Sequence, residues 1–196
     1  KVCSYWWGCG QQPGANLELM NQYPQNDLDK AKELLERAGY EGEKITLVDP
    51  ADFATIHPIA VVMRATLQRI GFNVDYQVTD WATEIEYQTE PVDKRSWHIM
   101  TTWGFMSVQP LAGFFLGEDG NVGHYVNDTL QELRGRFAAV TEASERKEVL
   151  DEMARVLYND VPYMVFGQFR TVFGANRDLE GYIVSEFNNS PYFIGA

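Results

Sequence analysis

The chain has 196 residues, 45% of them hydrophobic, and a formal net charge of −12. That length and apolar content allow a sizeable core in one compact unit. So negative a chain is a poor match for nucleic acid, whose binding rests on basic side chains displacing counterions.

No apolar run approaches the roughly 20 residues that span a bilayer, and no basic-then-apolar start reads as a signal peptide. The sequence opens on "KVCSYWWGCG", which reads as the middle of something longer, so a processed or truncated piece is expected. Cys3 and Cys9 flank Trp6 and Trp7. Either an oxidising compartment joins them across a tight loop, contributing about 2 kcal/mol by chain entropy, or they are two small, partly buried thiols. None of His57, His98 and His124 has ligand-like spacing to a cysteine, so neither a metal nor another cofactor is expected.

From Asp27, "DLDKAKELLERAGY" places Leu28, Ala31, Leu34, Leu35 and Ala38 on one helical face between a capping Asp and a terminating Gly39. "KITLV" predicts a buried strand, and "DPADF" a turn out of it. A second helix follows over 56–70, carrying Ile59, Val62, Met63, Thr66, Leu67 and Ile70 at helical spacing, with Pro58 tolerated in its first turn. "FNVDYQV" then alternates as a strand, and strand, helix, strand at this spacing implies a parallel crossover unit. Asp80 is placed to cap a third helix from Trp81 to about Thr89, with Trp81 packing on the sheet.

"WHIMTTW" predicts another strand, with His98 packed in the core, and it runs into the uncharged, aromatic-rich "TTWGFMSVQPLAGFFLG". Two more helices are expected over 129–140 and 144–158, the second burying Val149, Leu150, Met153, Val156 and Leu157. "PYMVFGQF" and "TVFGA" look β-rich, and the chain ends in an aromatic tail.

Catalysis needs a nucleophile beside a base, paired carboxylates in a cleft or a metal cluster, and no motif of that kind is present. Glu142, Glu145, Glu148, Asp151 and Glu152 fit a solvated helix face. His57 suits a turn or packing role, and His124 a local hydrogen bond. "GEDGNVG" lacks the setting and the lysine of a phosphate loop.

The segments "DKAKELLERAGYEGEKITLVDPADF", "MRATLQRIGFNVDYQVTDWAT", "WHIMTTWGF", "HYVNDTLQEL" and "ASERKEVLDEMARVLYNDVPYMVFGQF" together resemble the C-terminal lobe of family 5 extracellular solute-binding proteins. These are the peptide- and nickel-type receptors of ABC importers. The resemblance implies an α/β fold, a mixed β-sheet with helices packed on it, as in the C-terminal lobe of a type II periplasmic binding protein. It implies that 1–20 are a crossover from an N-terminal lobe, 21–180 the C-terminal lobe and 181–196 a tail returning to the other lobe. Such a lobe is not an enzyme. It sits in the periplasm, holds a small-molecule or peptide ligand in an interlobe cleft and presents it to an ABC permease in the inner membrane. In isolation it is expected to self-associate through its termini.

The resemblance also implies that the segment after the strand ending in Trp103 and Gly104 lines the pocket, here with Phe105, Met106, Ser107 and Gln109. Trp7 belongs to that wall or to packing. Peptide-binding members carry an acidic residue in this segment to meet the ligand's ammonium, whereas no Asp or Glu stands between Asp93 and Glu118. A buried ammonium needs an anionic partner, so this wall favours a ligand with apolar or sugar-like faces, or one whose charge the other lobe meets. The alternatives are a ligand-sensing lobe of a regulator with the same fold and, more distantly, an enzyme on a similar scaffold.

Overall fold

The computed structural model describes residues 5–7, 16–23, 26–104, 111, 122–167, 176, 178, 182–183 and 192–193. Where length and composition predict one unit, the chain divides into two. The first holds residues 1–20, 105–117 and 127–196, and the second holds 21–104 and 118–126.

The second unit is built on a β-α-β crossover. Strand β1 (Lys44–Pro50) pairs in parallel with β2 (Asn73–Thr79) along its whole length, from Lys44 opposite Asn73 to Pro50 opposite Thr79, and helix α3 (His57–Ile70) connects them. Helix α3 carries Pro58 in its first turn, where a missing N–H is harmless, and stops at Gly71, whose φ of 123° a side chain would resist. Short strand β3 (Ile99–Met100) joins the other edge of β1, also parallel, giving the order β2-β1-β3. The central strand is buried from Thr46 onward. Leu47, Met63 and Leu67 form a core between sheet and α3, with Phe72, Val74, Tyr76 and Ile99 against it.

Helix α2 (Leu28–Arg37) starts as expected, the Asp27 side chain accepting from the Lys30 N–H at 2.9 Å. It lies on α3, but its apolar face is only half-used. Leu28, Ala31 and Leu35 are half-buried, while Leu34 is 50% exposed. Val62 and Val78, at 62% and 61% exposure, likewise face solvent. Helix α4 (Trp81–Gln88) is capped by Asp80, which accepts from the Thr83 N–H at 2.9 Å, and packs on β1.

His98 is exposed rather than in the core. Its N–H donates to the Thr46 carbonyl at 3.0 Å, and its Nδ1 accepts from the Thr46 N–H at 3.0 Å. The imidazole thus takes the place of a strand carbonyl where the β1–β3 ladder begins, a task that holds it at the sheet margin.

In the first unit, α5 (Asp128–Ala139) packs against α6 (Ala143–Asp160) through buried Leu130, Leu133, Phe137, Val149, Leu150, Met153 and Leu157. Val156 is half-buried only. Asn127 caps α5 by accepting from the Leu130 N–H at 2.9 Å. Tyr5, Trp6 and Trp7 are buried, and helix α1 (Leu17–Gln22) follows.

Asp151 is a correction: it is buried, not on the solvated face of α6. It accepts from Tyr5 Oη at 2.7 Å, Asn16 Nδ2 at 2.6 Å and Lys147 Nζ at 2.9 Å. The N-terminal segment covers that side of α6, and its polar groups need an acceptor there.

Tyr182–Ile183 (β4) and Tyr192–Phe193 (β5) pair antiparallel. The β-rich reading of "PYMVFGQF" does not hold over 162–167, which form no strand; its remainder and "TVFGA" lie outside the described residues.

A binding edge at the switch point of the sheet

In the second unit the chain leaves β1 toward β2 on one side and returns through β3 on the other. The point where strand order reverses therefore falls between β1 and β3. In open α/β sheets, ligands collect outside the carboxyl ends of the strands at such a point, because connections diverge there and leave a crevice. The residues at this edge are Asp49 and Pro50 of β1, the loop to Phe53, and Thr101 to Gly104 beyond β3.

Trp103, two residues from the Thr101 end of the edge, is half-buried, and Gly104 beside it is exposed. The ring of Phe53 lies 6.5 Å from that of Trp103 and 4.9 Å from that of Trp81, tilted to both. Three aromatic rings supplied by the β1–α3 loop, the start of α4 and the end of β3 thus meet at the switch point. Asp52 holds the arrangement from below by accepting the Trp81 N–H at 2.7 Å. Such faces offer large apolar contact at little entropic cost.

Behind the rings lies a buried polar cluster. Asp49, wholly buried, accepts at Oδ2 from His57 at 2.7 Å and from the Tyr76 hydroxyl, while its Oδ1 has no partner among the described residues. Burial first, then the hydrogen bond to Asp49 and its charge, push the Tyr76 phenol up to about 12 despite Arg64, whose guanidinium lies 4.7 Å above the ring. Glu84, one turn into α4, is also fully buried, and neither oxygen has a partner among the described residues. Burial, together with the charges of Asp49 and Asp52, raises its carboxyl to about 8, so Glu84 is neutral at pH 7. The Thr101 hydroxyl, buried at the same edge, is unpartnered too.

Of the residues expected to line a pocket, the structure brings Trp103 and Gly104 to this edge. Phe105, Met106, Ser107 and Gln109 lie outside the described residues, as do Cys3 and Cys9. Trp7 is buried in the first unit, its indole N–H donating to the Leu150 carbonyl at 2.9 Å. His57 does more than turn the chain, since it binds a buried carboxylate. His124 keeps a buried Nε2 without a partner among the described residues. The Asp49, Tyr76 and Glu84 cluster escapes sequence reasoning. "DPADF" reads as a turn, and an acid in the first turn of a helix is what the helix dipole favours anyway.

This α/β unit, a parallel sheet with helices packed on it, matches the fold of solved periplasmic binding proteins. The periplasmic oligopeptide-binding protein of a Thermotoga maritima ABC transporter, crystallised with mannohexaose, superposes with a TM-score of 0.66 at 17% identity, over 84% of this chain and 36% of its own. DppA of Helicobacter pylori, in complex with the peptide STSA, gives a TM-score of 0.59 at 22% identity, over 73% of this chain and 29% of its own.

The family model for bacterial extracellular solute-binding proteins, family 5 (middle region), matches residues 9–120, more than half of the chain. The chain belongs to that family. A probable peptide ABC transporter periplasmic-binding protein, y4tO of Sinorhizobium fredii, is 30% identical over 169 residues, which is 82% of this chain and 32% of the relative. The chain thus spans about a third of the length of that relative.

Proposed function

We propose that this chain supplies one lobe of the substrate-binding component of an ABC importer. It captures a small solute, a peptide or a related compound, and the loaded receptor delivers it to a membrane permease from the periplasm. Residues 21–180 are assigned to the lobe, 1–20 to the crossover and 181–196 to the returning tail. The protein acts by binding and not by catalysis. The observation that carries this reading is Trp103 at the switch point, in ring contact with Phe53. It supplies an aromatic wall at the edge where a sheet of this type holds ligands.

Capture by closure fits a single wall. One edge contacts a solute on one side only, so the solute favours a state in which a second wall covers it, and its binding energy shifts the population toward that state. The family membership and the peptide-receptor relatives support the solute class, and the aromatic rings of the edge suit the apolar faces of a peptide side chain or a sugar ring.

The experiment is a native mass spectrum of the protein containing this lobe, purified from its host without refolding. A retained mass of a peptide or another small solute, lost in Trp103→Ala, is the expected result. A protein that carries no solute and takes up none from a peptide and oligosaccharide panel overturns the reading.

A further inference from the structure

Three buried polar groups at the switch-point edge have hydrogen-bonding capacity that no described residue meets: both oxygens of Glu84, Oδ1 of Asp49 and the Thr101 hydroxyl. Their elements bring them together. Helix α4 packs on β1, the charge of Asp49 acts on Glu84, and Val48 pairs with Met100, which sets Thr101 beside Asp49 on the next step of the register. An unmet buried acceptor costs about 1–3 kcal/mol. Leaving several in one place is expensive unless the place has an occupant in some state of the protein.

The charge around the cluster indicates the sign of that occupant. Asp49 on β1, Asp52 in the following loop and Glu84 on α4 are acidic. Of the groups facing them from α3 and β2, His57 binds Asp49 Oδ2, Arg64 lies over the Tyr76 ring, and Tyr76 itself is a neutral donor. No Lys or Arg among the described residues pairs with Glu84 or with Asp49 Oδ1. The unmet atoms on the two acids are carboxyl oxygens, and those of Glu84 both accept once it has given up its proton. A metal is a poor candidate, since no group of three suitable side chains among the described residues is arranged to hold one.

We propose that Glu84 and Asp49, assisted by Thr101, receive an N–H-bearing cationic group of the bound solute. As the cation enters, the Glu84 carboxyl gives up its proton to bulk water. The inference rests on the solute-receptor reading and gives it a chemistry: the solute carries an amine, amidine or guanidine. It also supplies from α4 the anion that the uncharged stretch between Asp93 and Glu118 lacks. Burial first, and then repulsion from Asp49 and Asp52, holds the Glu84 proton in the empty state. A cation placed among the three removes that repulsion, and by linkage cation and proton each weaken the binding of the other.

The test reads the Glu84 carboxyl directly by carbon-13 NMR titration of the 196-residue chain, assigned with Glu84→Gln. The probes are ethylammonium chloride, sodium chloride at the same ionic strength, and ethanol. The expected result is a midpoint near 8 without probe. Ethylammonium lowers it by about one unit, a tenfold change in proton affinity, and neither control does so. Asp49→Asn lowers the midpoint in the absence of probe and shrinks the ethylammonium effect. An equal shift in sodium chloride, no shift in ethylammonium, or an ordinary carboxylate midpoint overturns the inference. Those failures leave the receptor reading standing wherever the native mass spectrum still finds a retained solute, so the two fail separately.

Discussion

Tyr76 and Asp49, on neighbouring parallel strands, meet through a hydrogen bond from the phenol to Oδ2 of the buried carboxylate. Asp49 is level with Val78 in the register. Tyr76, two residues earlier, therefore shares its face of the sheet and reaches it diagonally. Without that donor the carboxylate keeps only His57. Tyr76→Phe should lower unfolding stability by about 1–3 kcal/mol, because a donor to a buried charge is lost while the ring and its packing remain. Urea denaturation at neutral pH measures it, with an unchanged slope expected.

Glu84 should make the protein less stable as pH rises. Its folded value, near 8, lies above the ordinary 4.5, so between those values the unfolded chain releases a proton that the folded chain retains. The associated stability is fully present below pH 4.5 and is lost progressively up to about pH 8. Glu84→Gln keeps the shape and cannot ionise. At pH 8 it should exceed the parent protein by a few kcal/mol, roughly what several pKa units are worth, while at pH 4.5 the two should converge. Parallel denaturant melts across this window decide it, and equal pH slopes would contradict the assignment.

Much of the second unit is legible in the sequence because its signals are local. Asp27 and Asp80 announce helix starts three residues ahead of the N–H groups they accept, and Gly71 announces a stop. The alternating and helical apolar periods then define the crossover. What local reading misses is set by partners far along the chain. Asp49 meets Tyr76 from 27 residues away, and Tyr5 meets Asp151 from 146 away. Periodicity assigns Asp151 to the polar side of α6 correctly as a position on a helix, but it has no information about the segment that covers that side. His98 fails in the opposite sense, since an apolar neighbourhood suggests burial while a backbone N–H claims its ring nitrogen. The apolar pattern of "WHIMTTW" places Trp103 just past its strand, while its role in a pocket is only what the family resemblance implies.

Asp151 organises the first unit around one carboxylate. Burial alone would raise it, but the hydrogen bonds from Lys147, Tyr5 and Asn16 outweigh burial and hold it below its ordinary value. With a depressed folded value, its contribution is present above the ordinary 3.8 and fades as pH falls through the lower, folded value. Asp151→Ala strands the Tyr5 hydroxyl, and Tyr5 is only 2% exposed. The expected loss is about 2–4 kcal/mol at pH 7, and it should shrink in acid. Tyr5→Phe should cost less, because Asn16 and Lys147 still satisfy the carboxylate.

Trp103 separates a binding wall from a core residue by the ratio of two losses. A large aromatic packed in a core costs about 3–5 kcal/mol when cut to Ala, whereas a half-buried ring at an edge costs the chain far less. The rings of Trp103 and Phe53 lie 6.5 Å apart, farther than the 4.9 Å between Phe53 and Trp81, so Trp81 is the closer partner of Phe53. Trp103→Ala should therefore lower stability by no more than about 1–2 kcal/mol and abolish solute retention in the native mass spectrum. Trp81→Ala should cost more stability, since it removes the closer ring contact on Phe53. If Trp103→Ala unfolds the chain while Trp81→Ala does not, the wall is a core, and the solute must be held by the segment that follows it.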